Sequence, residues 1–183
     1  MQENEDKIEE FKKSLSATVK SIGKSKSIEV NFVKESPSVE GEVINLLEPN
    51  FKKFKNQLYY IRAEADSIAL EKRFHKKKIH EKYLCNNEIV NDIFKSVEQS
   101  RVEANGSLIF KGVKLNILSM HQSDLQKLSK DKHSKDEIVK AFRYVSYSEL
   151  TNQKLDGQFQ SYKAIIKEKL GDKYKDFFFK LKE

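Results

Sequence analysis

The 183 residues carry 35 basic against 28 acidic side chains, a net charge of +7 and a mean hydropathy of −0.70. That describes one domain, or one plus a small appendage, with its core concentrated on amphipathic faces and about 70% of its unfolded surface buried. The single cysteine, Cys85, excludes an intrachain disulfide, the acidic start Met1-Gln2-Glu3-Asn4-Glu5-Asp6 reads as no secretory signal, and no apolar run approaches the roughly 20 residues of a membrane span, so the expected compartment is the cytoplasm.

Taken in order, residues 1–10 are a candidate disordered segment, overlapping the start of an amphipathic helix. Ile8, Phe11, Leu15, Val19 and Ile22 form its stripe, and Gly23 stops it. Residues 27–34 and 39–47 switch to period two, which predicts a β-hairpin across Glu35-Ser36-Pro37-Ser38, lying on the helices because a lone hairpin is marginal. A long helix follows, expected over residues 52–84. Phe54, Leu58, Ile61, Ala65 and Ile68 share one stripe of a 3.6-residue period. Asn86-Asn87 offers an N-cap for a second helix through Val90, Phe94, Val97, Arg101 and Ala104, ending at Gly106. Two antiparallel helices with a short connection are the simplest reading.

Residues 107–113 are expected to be an extended connector, with another helix beginning at 116–120. Residues 130–134 predict a loop, and Ser134 with Glu137 a capping box before a helix burying Ile138, Phe142 and Val145. Gly157 marks a soft boundary to a C-terminal helical appendage, residues 158–183. There Phe159, Tyr162, Ile165, Ile166 and Leu170 form a stripe ending at Gly171, and a short aromatic helix follows over 174–181. Phe177, Phe178 and Phe179 cannot all face one side. The fold class is therefore mainly α: a single helical domain over 1–183, built around a long antiparallel helix pair, with one small β-hairpin near the N-terminus.

The candidate chemistry is thin. Gly106 and Gly112 are separated by five residues and Val113 follows where a phosphate-binding loop needs lysine. His80-Glu81-Lys82-Tyr83-Leu84 opens like a zinc-protease helix but lacks the second histidine. His75, His80 and Cys85 turn by about 140° per five-residue step, so they spread around a helix instead of converging on a metal. His75 reads as a half-buried, hydrogen-bonded histidine on the extended stripe. No catalytic, cofactor or metal residue is therefore assigned. Only four of the basic residues are arginine (Arg62, Arg73, Arg101, Arg143), which weighs against nucleic-acid recognition. The dense run Lys72-Arg73-Phe74-His75-Lys76-Lys77-Lys78 is either a solvated helix face or an acidic-partner site, and Arg73, Lys76, Lys77 and His80 are the docking candidates. Arg62, Asp66, Glu98, Arg101 and Glu103 are spaced to pair locally. Arg101 sits on the apolar stripe, so its guanidinium is expected to be mostly buried and paired. An interhelical network of Arg101 with Asp66 or Glu64 is the expected arrangement, a docking surface the alternative.

The same stretch carries a resemblance. Residues 61–70, Ile-Arg-Ala-Glu-Ala-Asp-Ser-Ile-Ala-Leu, resemble the "VRGxADAxAL" run of the cobaltochelatase CobT subunit family. Arg73-Phe74-His75 and Ile79-His80 are similar to its "RHHDxxLH". Residues 97–106, Val-Glu-Gln-Ser-Arg-Val-Glu-Ala-Asn-Gly, are similar to "VEQARVEAxG", and Gly112-Val113 with Asn116-Ile117 to "GVxxNL". Phe11-Lys12-Lys13 and Ile28-Glu29-Val30-Asn31-Phe32 resemble the family's opening, and Leu47-Glu48-Pro49 stands where it has "LPEPPR". The agreement covers residues 11–118 well and the remainder weakly.

The resemblance implies an ATP-dependent cobaltochelatase that inserts Co²⁺ into hydrogenobyrinic acid a,c-diamide in aerobic cobalamin biosynthesis. In such a complex an AAA+ (CobS-type) subunit hydrolyses ATP, a large (CobN-type) subunit binds the tetrapyrrole, and the CobT-type subunit joins them. This chain is then a non-catalytic assembly and coupling domain, with ATP, Mg²⁺ and cobalt held in the complex only. The family's acidic linker and von Willebrand A domain, with its Asp-x-Ser-x-Ser motif, have no counterpart in these residues, so the resemblance is to the amino-terminal domain alone. An adaptor for an AAA+ partner acting on a non-corrinoid target is the alternative, and a lysine-rich nucleic-acid binder the third.

Overall fold

The computed structural model describes residues 2–49, 54–128, 134–154 and 159–182. The expected helix start at Lys52, the side chain of Phe54, the loop at 130–133 and the boundary at Gly157 lie outside the described residues. The chain is mainly α with a small sheet near the N-terminus, and divides into two compact units, Met1–Phe74 and His75–Glu183.

In the first unit, α1 (Gln2–Gly23) buries the whole stripe Ile8, Phe11, Leu15, Val19 and Ile22. It stops at Gly23, after which Lys24 takes a left-handed φ of 54°. Its partner is α2 (Phe54–Phe74), which buries Ile61 and Leu70 together with the small residues Ala63, Ala65 and Ala69. The small residues let the backbones approach: a Cβ on Gly23 would stand 3.8 Å from the Ala69 carbonyl oxygen and 2.7 Å from the Ile28 side chain. The two helices run the same way. Arg62 lies over the Phe11 ring at 5.2 Å near one end, and Arg73 Nη1–H donates to the Ile22 carbonyl, 3.1 Å, at the other.

The chain returns between them through β1 (Glu29–Val33), β2 (Ser38–Glu40) and β3 (Val43–Leu47), a three-stranded sheet of order β1-β3-β2. The hairpin near the N-terminus is β2–β3, antiparallel, with its turn at Gly41 (φ +57°) and Glu42. The turn expected at residues 35–38 makes no hairpin: it leads from β1 into β2, which starts at Ser38, and β3 lies between those two strands. β1 pairs with β3 in parallel, Val30 opposite Ile44 and Phe32 opposite Leu46. Period-two patterning identifies strands but is blind to the direction of their partners. β3 alternates as a strand with one covered face must, with Ile44 and Leu46 fully buried.

The second unit contains α3 (Lys77–Lys82), α4 (Glu88–Ile109), α5 (Lys111–Leu125), α6 (Lys135–Thr151), α7 (Phe159–Leu170) and α8 (Lys173–Lys182). A long helix pair does stand at its centre, but it is α4 with α6 and not α4 with the helix expected over residues 52–84. The helix expected through residue 84 is divided: α2 ends at Phe74, Lys76 adopts a non-helical φ of −112° and ψ of 83°, and α3 follows. No glycine or proline marks that break. Asn87 caps α4, accepting from the Val90 N–H at 3.2 Å, and Ser134 with Glu137 forms the expected capping box.

Gly106 does not end α4. It is buried within the helix, which runs to Ile109 and meets α5 at the single residue Phe110, so of residues 107–113 only Phe110 is extended and the rest are helical. Phe142, Val145, Phe159, Tyr162, Ile166 and Phe178 build the core of this unit. Phe177 packs edge-on to Phe178, and Phe179 is exposed. No helix among the described residues is long and apolar enough to cross a membrane.

Candidate functional site

The helices of the second unit enclose a polar cluster in an otherwise apolar interior. Glu103 on α4 is fully buried and accepts hydrogen bonds from three directions. Arg143 on α6 donates through Nη2 to Oε1 and through Nε to Oε2, the latter at 3.2 Å. His121 on α5 sets Nε2 3.0 Å from Oε2, and Gln99 Nε2–H donates to Oε1 at 3.4 Å. Beside this cluster Ser107 and Tyr147 share a hydrogen bond of 2.9 Å, and Ser100 donates to the Arg143 carbonyl at 2.7 Å.

Burial by itself would raise the Glu103 carboxyl; the Arg143 guanidinium and the His121 hydrogen bond override it and hold the group well below the usual carboxylate range. For His121 burial wins, and its pKa is lowered despite Glu103 alongside. The neutral ring then donates from Nε2, which leaves Nδ1 buried without a partner. Tyr144 and Tyr147 pack edge-on to the imidazole at 5.0 and 4.6 Å. Burial pushes the Tyr147 phenol up to about 12. Arg143 is 26% exposed, so the charged cluster reaches the surface there. Its geometry locks α4, α5 and α6 in one register and presents no nucleophile to solvent.

A second cluster ties α3 to α4. His75 Nδ1 lies 2.9 Å from Glu98 Oε1, the half-buried, hydrogen-bonded histidine its position predicts. The His80 ring stacks on Phe94 with centroids 4.3 Å apart. Glu98 also accepts from Arg101 Nε at 2.7 Å and Nη2 at 2.8 Å; burial would raise Glu98, and these hydrogen bonds hold it below its ordinary value.

Of the residues singled out from sequence, Arg62 and Asp66 stand on α2, Asp66 buried; Glu98, Arg101 and Glu103 stand on α4. The Arg101 side chain is 33% exposed, half-buried, and is paired with Glu98. Arg73 is at the end of α2 and lies over the Phe74 ring; Lys76 precedes the first turn of α3 without a side-chain cap, and Lys77 and His80 lie on that helix. His121 and Arg143, which complete the Glu103 cluster, had no sequence signal: they are 18 and 40 residues away, beyond any helical spacing rule.

Within residues 76–90, Lys76 and Lys77 were legible in the sequence as docking candidates, but the apolar side chains exposed beside them were not. Every residue there except His80 is exposed, and Ile79, Tyr83, Leu84, Ile89 and Val90 place five large apolar side chains in water, Tyr83 at 70%. A smaller set, Leu108, Ile109 and Leu115, is exposed at the corner between α4 and α5. Among the described residues no group of three or more His, Cys, Asp or Glu side chains could hold a metal ion.

The family model described as cobalamin biosynthesis protein CobT matches residues 5–177. No solved structure matches the chain.

Proposed function

We infer the function from one premise: this chain belongs to the cobalamin biosynthesis protein CobT family. Membership carries a role in cobalamin biosynthesis. Beyond it, we propose that the chain is a non-catalytic assembly and coupling domain of an ATP-dependent cobaltochelatase acting on hydrogenobyrinic acid a,c-diamide. Its partners on this reading are an AAA+ ATPase subunit and a large tetrapyrrole-binding subunit. ATP and Mg²⁺ belong to the ATPase, and cobalt is the cargo.

The observation that carries the reading is the family match over residues 5–177. Two features support a binding role over a catalytic one. The only closely spaced glycines, Gly106 and Gly112, are followed by Val113, with no lysine to meet a phosphate. The buried Glu103 cluster is spent on holding three helices together.

The proposed contact face within the second unit is Lys76 and Lys77 with His80 beside them, and the lysine charge would steer an acidic partner at a rate that falls with ionic strength. Pull-down with the cognate AAA+ and large subunits tests the proposal. Retention of at least one subunit, with no ATP hydrolysis by the chain alone, is the expected outcome. Retention of neither would end the assembly reading; retention of the ATPase in an organism lacking the large subunit would point to a non-corrinoid target instead.

A further inference from the structure

We infer that residues 76–90 form a preorganised docking surface for an acidic amphipathic helix of a partner protein. The inference rests on the assembly reading, and it specifies what that contact recognises.

The segment combines exposed apolar and basic side chains. Ile79 is 55% exposed, and with Tyr83, Leu84, Ile89 and Val90 it supplies side chains of the kind that anchor interfaces. The same segment carries Lys76, Lys77, Lys78 and Lys82 against two acids, Glu81 and Glu88. Lys77 reaches Glu81 at 3.9 Å, while among the described residues Lys76, Lys78 and Lys82 have no carboxylate partner. The charge left over is therefore positive, and the complementary partner is acidic.

The segment is also held in place. Asn91 Nδ2–H donates to the Cys85 carbonyl at 2.8 Å, and the Cys85 N–H donates back to Asn91 Oδ1 at 3.0 Å. One side chain thus grips both backbone groups of one loop residue. The Asn87 cap fixes the start of α4, and the His80 ring stacked on Phe94 fixes α3 against it. A surface ordered before binding loses little conformational freedom on contact. No strand lies in this segment, so main-chain strand addition is not available and recognition falls to side chains. A helix with one apolar stripe and acidic flanks meets both requirements.

The test uses the whole chain and a fluorescent synthetic helix with leucine along one stripe and glutamate elsewhere, against a scrambled control of the same composition. Anisotropy should show the striped peptide binding, with Ile79→Ser and Tyr83→Ser each weakening it by about tenfold. Leu115→Ser at the other exposed corner should leave it unchanged. Lys76→Glu with Lys77→Glu should weaken binding at low salt more than at physiological salt. Equal binding of the scrambled peptide, or an unchanged Kd in Tyr83→Ser, overturns the inference. So does a dimer, or retention on anionic vesicles or duplex DNA, that Tyr83→Ser abolishes, since the surface then serves another occupant. If the chain captures neither chelatase subunit while Tyr83-dependent peptide binding holds, the assembly reading fails and the surface stands. If capture survives Tyr83→Ser, assembly stands and this surface is not its contact.

Discussion

Glu103 is a charge kept out of water, neutralised by Arg143 of α6 and hydrogen-bonded by the neutral His121 of α5. Removing one member of such a pair leaves the other uncompensated, so Glu103→Gln should cost about 3–5 kcal/mol, read as a lowered Tm and urea midpoint. His121 adds a pH dependence whose sign follows from its lowered pKa. The unfolded imidazole takes up a proton near pH 6.5 while the folded one resists, so stability is full above that value and declines as pH falls through and below it. Glu103, also lowered, adds its own loss below about pH 4.5. Urea midpoints between pH 7.5 and pH 5 should fall less in His121→Gln than in the native chain; equal falls would remove His121 as the source. Neighbour rules made Glu98 and Arg101 legible in the sequence, because a three-residue spacing is local. They could not find Arg143 or His121, since only the fold brings those residues to Glu103.

At the level of elements, legibility followed the strength of the local signal. The stripe of α1, the Asn87 cap and the Ser134–Glu137 box were all readable, because each depends on residues within a few turns of one another. Ser134→Ala should accordingly cost about 1 kcal/mol by thermal melting. The sheet was less legible: Val30 and Ile44 alternate correctly, but nothing near either says that they run in parallel. Gly106 misled for another reason. Glycine often ends helices, yet one buried inside a helix is tolerated where packing decides. The elbow between α3 and α4 has a prediction of its own. Asn91→Ala should speed amide exchange at Cys85 by about tenfold while shifting overall stability by only about 1 kcal/mol. Unchanged exchange would show that the loop is held by something other than Asn91.

At the level of the molecule, the chain holds two compact units, each with its own buried residues. The Glu103 cluster and the aromatic core both lie within His75–Glu183. A fragment of residues 75–183 should therefore give a helical spectrum and a cooperative melt by circular dichroism; a broad, non-cooperative transition would show that this unit does not fold by itself.

The sheet of the first unit has its middle strand last in the chain. β1 and β2 each hydrogen-bond only to β3, so neither has a partner until residues 43–47 have left the ribosome. At about 5–20 residues per second that interval is short, but the nascent chain meanwhile carries two unpaired strands, and β1 can only wait for its neighbour or find a foreign one. A nascent chain stalled while residues 43–47 are still inside the ribosome should be aggregation-prone, whereas one stalled after they have emerged is already able to close its sheet.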